Sequence, residues 1–179
     1  SEMKWMKKLS SEIGRPVTFA MLQNEAEPDL WEQLLEESLQ SSKEGSQCFP
    51  QVAGRPFGLL IGLQTHHAFA KRPTFLAHAH LAHEELVAKL RDPKVRRSIL
   101  EEEDTPTDPS ILFDGMARLV QGMTHRLYPL GKIPDYEPAP DQSIVAIAER
   151  SGSSPLEVLY DYILEEGGHA MAMMPIFNY

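Results

Sequence analysis

The first third of the chain alternates between short apolar runs and amphipathic segments. Residues 2–12 carry apolar side chains at helical spacing and stop before Gly14, which predicts a short helix. The compact run PVTFAMLQ, residues 16–23, predicts a buried strand. Residues 30–45, LWEQLLEESLQSSKEG, predict a second helix, and SQCFPQVAG, residues 46–54, predicts a second strand that Pro50 and Gly54 end. The apolar stripe of the second helix is Leu30, Leu34, Leu35 and Leu39.

The order strand, helix, strand within about 35 residues is the βαβ pattern, and it predicts parallel pairing of the two strands. The fold class expected from this part of the chain is therefore α/β. The next run, RPFGLLIGLQ at residues 55–64, is apolar but interrupted by Pro56, Gly58 and Gly62.

The rest of the chain divides into an irregular middle and a regular end. Residues 65–139 are rich in proline and acidic side chains and predict a loop-rich helical insertion, with short helices signalled by Asp92-Pro93 and by Asp108-Pro109. Residues 140–179 predict two helices, the second opened by a capping box at Ser154, and a final strand, HAMAMMPIFNY. The expected organisation is a βαβ segment with an N-terminal helix over residues 1–64, the insertion, and a return over residues 140–179.

The composition of the chain limits the kinds of molecule that it could bind and the kinds of site that it could contain. The net charge of −9 argues against nucleic acid and anionic membranes, because neither attracts an acidic surface. Cys48 is the single cysteine, which excludes an internal disulfide and a zinc site built from cysteines, and fits a reducing, cytoplasmic setting. No apolar run approaches the roughly 20 residues of a membrane span.

The stretch FLAHAHLAHEEL, residues 75–86, contains three of the seven histidines. His78 and His80 share a face only in an extended strand, whereas His80 and His83 share a face only in a helix. Both geometries cannot hold across six residues, and zinc needs three or four convergent ligands. Two interpretations remain open: histidines at a loop and helix start, or a metal site of His78, His80 and His83.

Polar residues follow the two predicted parallel strands. In parallel α/β layers and barrels, functional groups lie at the carboxyl ends of the strands. This rule places Gln23 and Asn24 after the first strand and Gln51 and Arg55 after the second, at the rim of one pocket. The alternative is that these side chains only cap loops.

An ordered set of motifs resembles a known family. The segments RPVTFAMLQ, LWEQLLEESLQSSKEG, QCFPQVAGRPFGLL, SIVAIAERSGSSPLEVLYDYILEEGG and HAMAMMPIFNY are similar to the later part of N-acyl-D-amino-acid deacylases, or D-aminoacylases, of the metal-dependent amidohydrolase superfamily. The resemblance runs over most of residues 15–179. It implies a (β/α)8 barrel and hydrolysis of the amide bond of N-acyl-D-amino acids, by water that zinc or another divalent metal activates.

The resemblance also implies which parts this chain lacks. The family's His-x-His ligands lie upstream of the similar region and its aspartate ligand lies downstream, while no histidine here precedes His66. Phe49, Pro50 and Gln51 stand where the family has a strand-end tyrosine that touches substrate. We therefore expect no bound metal and no catalytic residue in this segment. Substrate contact is expected, by position, at Gln23, Phe49, Gln51 and Arg55.

A complete barrel takes about 250 residues, so the 179 residues are expected to be a fragment carrying two or three of its strands and a lid-like insertion, inactive alone. Its partners would be the remainder of the parent chain, a small N-acyl amino acid substrate, and a second copy as an alternative cover for open strand edges. The competing hypotheses are a non-enzymatic metal-binding or interaction module that uses His78, His80 and His83, and a helical adaptor without parallel strands.

Overall fold

The computed structural model describes residues 2–178. Its backbone forms two compact units, one of residues 2–58 with 175–178 and one of residues 59–174, called the first and second units below. The elements, in chain order, are α1 Met3–Ile13, β1 Val17–Met21, α2 Leu30–Lys43, β2 Cys48–Val52, β3 Phe57–Gly62, α3 Pro73–His78, α4 His83–Leu90, α5 Pro93–Glu101, α6 Met116–Gly122, β4 Tyr128–Pro129, α7 Ile144–Ser151, α8 Pro155–Ile163, α9 Glu165–Gly168 and β5 Met171–Phe177.

The predicted βαβ pattern is confirmed in the first unit. Strands β1 and β2 pair in parallel, with Val17 opposite Cys48 at one end and Met21 opposite Val52 at the other. Helix α2 connects them. The fold is therefore of the mixed α/β class, and residues 2–178 contain no closed barrel. The parallel pair contradicts the expectation for a helical adaptor.

Only one face of this two-stranded sheet is covered. Val17 and Phe19 pack, together with Leu34, around the buried cluster Met3, Met6 and Cys48. On the other face Thr18, Ala20, Phe49 and Gln51 are exposed, Phe49 with 46% of its surface. The prediction of a fully buried first strand is therefore wrong, because a parallel strand is buried on both faces only where both faces have a covering layer.

Pro50 lies inside β2, opposite Phe19, and does not end the strand as predicted. Proline has no backbone N–H, so within a sheet it is confined to a strand with an unpaired edge. Strand β2 meets this condition because β1 is its only neighbour in the two-stranded sheet.

Helix α2 turns only part of its predicted leucine stripe inward, and Leu34 is the member that packs on the buried cluster. Ser38 and Ser41 are its buried residues, while Leu35 is exposed and Leu39 is 58% exposed. Helix α1, which ends at the left-handed Gly14 as predicted, likewise leaves an apolar row of Trp5, Leu9 and Ile13 on its surface. Both helices of the first unit thus carry apolar side chains outside the core as well as inside it.

The second unit contains helices α3 to α9, strand β4 and most of β3 and β5, and these three strands form a sheet with the order β3-β5-β4. Strand β4 is antiparallel to β5, with Tyr128 opposite Met173. The predicted helices α7 and α8 and the final strand are confirmed, and Ser154 and Glu157 form the predicted capping box. The fully buried side chains of this unit include Phe69, Ile99, Leu159, Tyr160 and Met174.

Hydrogen bonds and ion pairs connect the segment between α5 and α6, residues 102–114, to residues 71–74 at the start of α3. Glu102 accepts two hydrogen bonds from Thr74, from its backbone N–H and its hydroxyl, both at 2.9 Å. Lys71 Nζ lies 2.8 Å from Asp114 Oδ1, and Arg72 Nε lies 3.1 Å from Asp104 Oδ1. The Arg72 and Asp104 atoms are both buried and lack hydrogen-bond geometry, so the attraction between them is electrostatic.

The two helix starts predicted in the middle of the chain have different outcomes. Asp92 caps α5 by accepting a hydrogen bond from the Lys94 N–H, as predicted. No helix begins at Asp108-Pro109: the Asp108 carboxylate accepts from the N–H and hydroxyl of Ser110 and closes a turn. An aspartate that satisfies donors two residues ahead stabilises a turn as readily as a helix start.

Gly168 occupies a position that only glycine fits without displacement. Its φ is +84°, and a Cβ there would lie 2.6 Å from Cγ2 of Val87. Gly152, which ends α7, also has a positive φ, of +69°, but faces open space.

Among residues 2–178, no helix combines the length and apolar composition needed to cross a membrane.

Candidate functional site

A cavity of about 360 Å³ lies in the first unit, at the carboxyl ends of its strands. Leu22 and Gln23 reach it directly after β1, residues 53–56 directly after β2, and Asn178 directly after β5. Trp31, in the first turn of α2, also lines the cavity. The arrangement agrees with the general location of ligand sites at the carboxyl ends of parallel strands.

Gln23 and Asn178 hold each other through two hydrogen bonds. The N–H of Asn178 donates to the carbonyl oxygen of Gln23 at 3.0 Å, and the N–H of Gln23 donates to Asn178 Oδ1 at 2.9 Å. The second bond fixes the amide orientation, because a flipped Asn178 would place a donor against a donor. Asn178 Nδ2 is then buried without a partner among the described residues.

Two packed aromatic rings, Phe57 and Phe177, lie close in sequence to Arg55 and Asn178 of the cavity lining. The Phe57 and Phe177 rings lie 5.2 Å apart in a tilted arrangement. Phe57 comes two residues after Arg55, and Phe177 directly precedes Asn178. Asn178 itself has a φ of 61°, the left-handed conformation that asparagine tolerates better than most residues.

The charge of the cavity is positive. Arg55 belongs to its lining and is exposed, and none of the ion pairs found within residues 2–178 involves it. The lining residues that the structure describes include no aspartate or glutamate. The exposed Arg55 is therefore the charged residue of a lining that also includes the polar Gln23 and Asn178 and the apolar Trp31 and Val52.

The four positions predicted to contact substrate separate into two pairs. Gln23 and Arg55 line the strand-end cavity. Phe49 and Gln51 are instead on the uncovered face of the sheet, beside Thr18 and Ala20 in the register, and are not part of the cavity lining. Asn178 was not predicted, although it follows the final strand as Gln23 follows the first.

The predicted histidine cluster is spread over two helices and the turn between them. His78 is the last residue of α3, His80 lies in the turn, and His83 begins α4. Within residues 2–178, no group of three or more His, Cys, Asp or Glu side chains is arranged to hold a metal ion. These residues therefore do not fit a zinc site.

His83 has a different set of neighbours from the predicted one. Its Nε2 lies 2.8 Å from the carbonyl oxygen of Gly167, and its Nδ1 lies 3.3 Å from Nε2 of Gln64. The ring stacks 4.5 Å from that of His169. A carbonyl oxygen only accepts hydrogen bonds, so Nε2 of His83 donates to Gly167, and both ring nitrogens already have partners within the fold.

His67 is the buried histidine of the second unit, with 2% of its surface exposed. Its Nδ1 accepts a hydrogen bond from the Phe69 N–H at 3.2 Å, and its ring meets Phe75 edge-on at 4.6 Å. Burial, with a smaller contribution from the neighbouring His66, lowers the pKa of His67 from 6.5 to about 4. This histidine is thus a neutral packing residue, not an acid or base facing a pocket.

Comparison of the chain with protein-family models, with curated proteins and with solved structures finds no match. The sequence motifs and the geometry of the strand-end cavity are therefore the features of the chain that bear on its function.

Proposed function

We propose that this chain is a segment of a metal-dependent amidohydrolase of the N-acyl-D-amino-acid deacylase type. Its β1-α2-β2 unit forms part of a (β/α) barrel, and the residues after its strands form part of the substrate pocket. The observation that carries the proposal is the cavity at the carboxyl ends of β1 and β2, lined by Gln23 and Arg55. In (β/α)8 barrels the substrate binds at this end of the strands.

The one-sided cover of the sheet supports the same proposal. In a (β/α)8 barrel the helices pack on the outer face of the strands, and side chains of the inner face fill the interior. Here Met3, Met6 and Leu34 of the helices pack on one face only. Phe49 and Gln51 project from the other face, as interior residues of a barrel strand would.

The proposed role of these residues is substrate contact, not metal chemistry. Residues 2–178 contain no group that fits zinc or another divalent metal, so its ligands have to come from the remainder of the parent chain. The same chain would cover the uncovered sheet face and the apolar row of Trp5, Leu9 and Ile13. Alone, the 179-residue chain is expected to be inactive.

The test is an amide hydrolysis assay on the protein that contains this chain, purified from its source. We expect release of D-methionine from N-acetyl-D-methionine, its loss on treatment with a chelator, and its return with zinc. The 179-residue chain, assayed in parallel with zinc, serves as the matched control and should release none. A source protein that leaves N-acetyl-D-methionine intact, or that hydrolyses it equally well in chelator, would contradict the proposal.

A further inference from the structure

Strand β3 is an edge strand without the usual protection against pairing with another strand. It lies outermost in the sheet order β3-β5-β4, and no other strand of the described chain occupies its second edge, called the open edge below. Its sequence, FGLLIG, contains no charged residue and no proline. Edge strands are normally protected by lysine, proline or a bulge, and an unprotected apolar edge is a template for pairing with a further strand.

The side chains of β3 are exposed as well as its backbone edge. Phe57, Leu59 and Leu60 expose 41%, 40% and 46% of their surface. Neighbouring exposed apolar side chains of this kind mark an interaction site. Residues 56–70 contain no Asp, Glu, Lys or Arg, so pairing of two copies along β3 brings no like charges together.

Thr65 identifies the backbone groups that lie on the open edge. The Gly62 N–H donates to Thr65 Oγ1 at 3.0 Å, and the Thr65 N–H donates to the Gly62 carbonyl oxygen at 3.0 Å. The Thr65 hydroxyl donates to the Leu60 carbonyl oxygen, also at 3.0 Å. These groups therefore point to the edge away from β5. Because alternate residues of a strand turn their backbone groups to the same edge, the N–H and C=O of Gly58 and the N–H of Leu60 lie there too.

We propose that the open edge of β3 binds the same edge of a second copy of the chain, antiparallel and about a two-fold axis at Gly58. In an antiparallel ladder, opposite residues alternately exchange two hydrogen bonds or none. The two Gly58 residues then exchange both hydrogen bonds, and the Leu60 N–H of each copy faces the Pro56 carbonyl oxygen of the other. Pro56 has no N–H to offer in return, and the Leu60 carbonyl oxygen needs none because Thr65 already donates to it.

The same register matches the exposed side chains. Phe57 of each copy lies opposite Leu59 of the other, at a position without hydrogen bonds, where cross-strand side chains approach most closely. On the other face of the strand, Leu60 lies opposite Pro56. The partner is a second copy and not an unrelated strand, because the missing N–H of Pro56 and the occupied carbonyl of Leu60 face each other only when β3 meets itself.

The two-fold axis also determines the size of the assembly. An interface that uses the same patch on both copies closes at two chains. The three-stranded sheets of the two copies then form one continuous sheet. This inference does not depend on the proposed function, because β3 belongs to the sheet with β4 and β5 and not to the β1-β2 sheet.

Sedimentation equilibrium of the 179-residue chain tests the association. We expect a reversible equilibrium between monomer and dimer, with no larger species. L59K places a charge opposite Phe57 twice in each dimer and should raise the dimer dissociation constant at least about tenfold. L119K is the matched control, because Leu119 is a leucine of α6 with a similar exposure, 44%, and this variant should dimerise as the wild type does. Far-UV circular dichroism establishes that each variant is folded.

Disulfide formation tests the register. In a C48A background, which removes the buried native thiol, G58C supplies the only cysteine. The Cα atoms of the two residues 58 would lie about 5.5 Å apart, within the range of a disulfide, so air oxidation should link the dimer. L60C in the same background is the control. Its two cysteines would be offset by about 13 Å along the strands and should not link.

Several results would overturn the proposal. They are a chain that stays monomeric at all accessible concentrations, an assembly larger than a dimer, and an unchanged dissociation constant in folded L59K. An L119K variant weakened as much as L59K would show that the β3 edge is not the interface. A dimer that L60C links, or that G58C fails to link, would exclude the two-fold axis at Gly58.

Discussion

Burial of the neutral His67 makes the stability of the second unit depend on pH. The folded protein excludes a proton from this imidazole down to a pKa of about 4, whereas the unfolded chain takes one up near 6.5. Between these values the unfolded state binds more protons, so the free energy of unfolding falls as the pH falls. Replacing His67 with phenylalanine keeps an aromatic ring beside Phe75 and removes the titrating group.

The size of the effect follows from the two pKa values. Each pH unit below the unfolded pKa costs about 1.4 kcal/mol until the folded pKa is reached. At pH 5 the penalty from His67 is therefore about 2 kcal/mol, against nearly none at pH 7, and it levels off at about 3 kcal/mol below pH 4. This is a large share of the 5–15 kcal/mol that typically stabilises a domain.

Titrating carboxylates can be separated from His67 by the pH window. Hydrogen bonding to Lys71 lowers the pKa of Asp114 from 3.8, and the backbone N–H of Ser154 lowers that of Glu157 from 4.5. A carboxylate with a lowered folded pKa stabilises the protein fully above its unfolded pKa and loses that contribution only below it. Measurements between pH 5 and pH 7 therefore report mainly the histidine.

The assay is urea unfolding, followed by circular dichroism at 222 nm, of the wild type, H67F and the surface control H80Q at pH 7 and pH 5. We expect the wild type to lose about 2 kcal/mol more than H67F between the two pH values. H67F is expected to be less stable at pH 7, since the Phe69 N–H loses its acceptor. The reasoning is refuted if wild type and H67F lose the same free energy from pH 7 to pH 5.

Two further predictions concern packing and charge in the second unit. G168A combines a positive φ with a Cβ in contact with packed side chains, so it should cost about 2–4 kcal/mol, whereas G152A, at a positive φ in open space, should cost about 1 kcal/mol in the same thermal melts. Equal costs would exclude the steric explanation. D104A leaves Arg72 buried without its carboxylate and should cost about 3 kcal/mol, while D141A on the surface should be nearly neutral. A D104A loss as small as that of D141A would show that the pair contributes little.

Helix ends and caps were predicted correctly where the residues that determine them lie within a few positions of each other in the sequence. The helix end at Gly14, the capping box at Ser154 and the cap at Asp92 all depend on hydrogen bonds or backbone angles within a few residues. The same reasoning failed at Asp108, because an aspartate before proline satisfies a turn and a helix start with the same hydrogen bonds.

Faces and covering layers were predicted poorly, because they depend on distant parts of the chain. The leucine stripe of α2 identifies an apolar row but not which layer it meets, and the structure buries Ser38 and Ser41 while Leu39 stays exposed. The apolar run of β1 likewise suggested burial on both faces, yet only the helix-covered face is buried.

In the candidate site, strand position alone identified some of the lining residues and missed others. The rule that functional residues follow parallel strands selected Gln23 and Arg55, which do line one cavity. Asn178 was missed because the final strand was predicted to run through it, whereas β5 ends at Phe177 and Asn178 follows the strand. Gln51 was misplaced because β2 continues through Pro50 to Val52, which keeps residue 51 within the strand.

The uncovered face and the unpaired edges of the β1-β2 sheet require a further part of the protein to cover them. Parallel sheets occur almost only with both faces covered, and β1 and β2 each have an unpaired edge in their two-stranded sheet. Under the proposed function, the chain that completes the barrel supplies this cover and also the metal ligands that residues 2–178 lack. Barrel completion and catalysis are then coupled, because the same part of the parent chain closes the sheet and supplies the ligands.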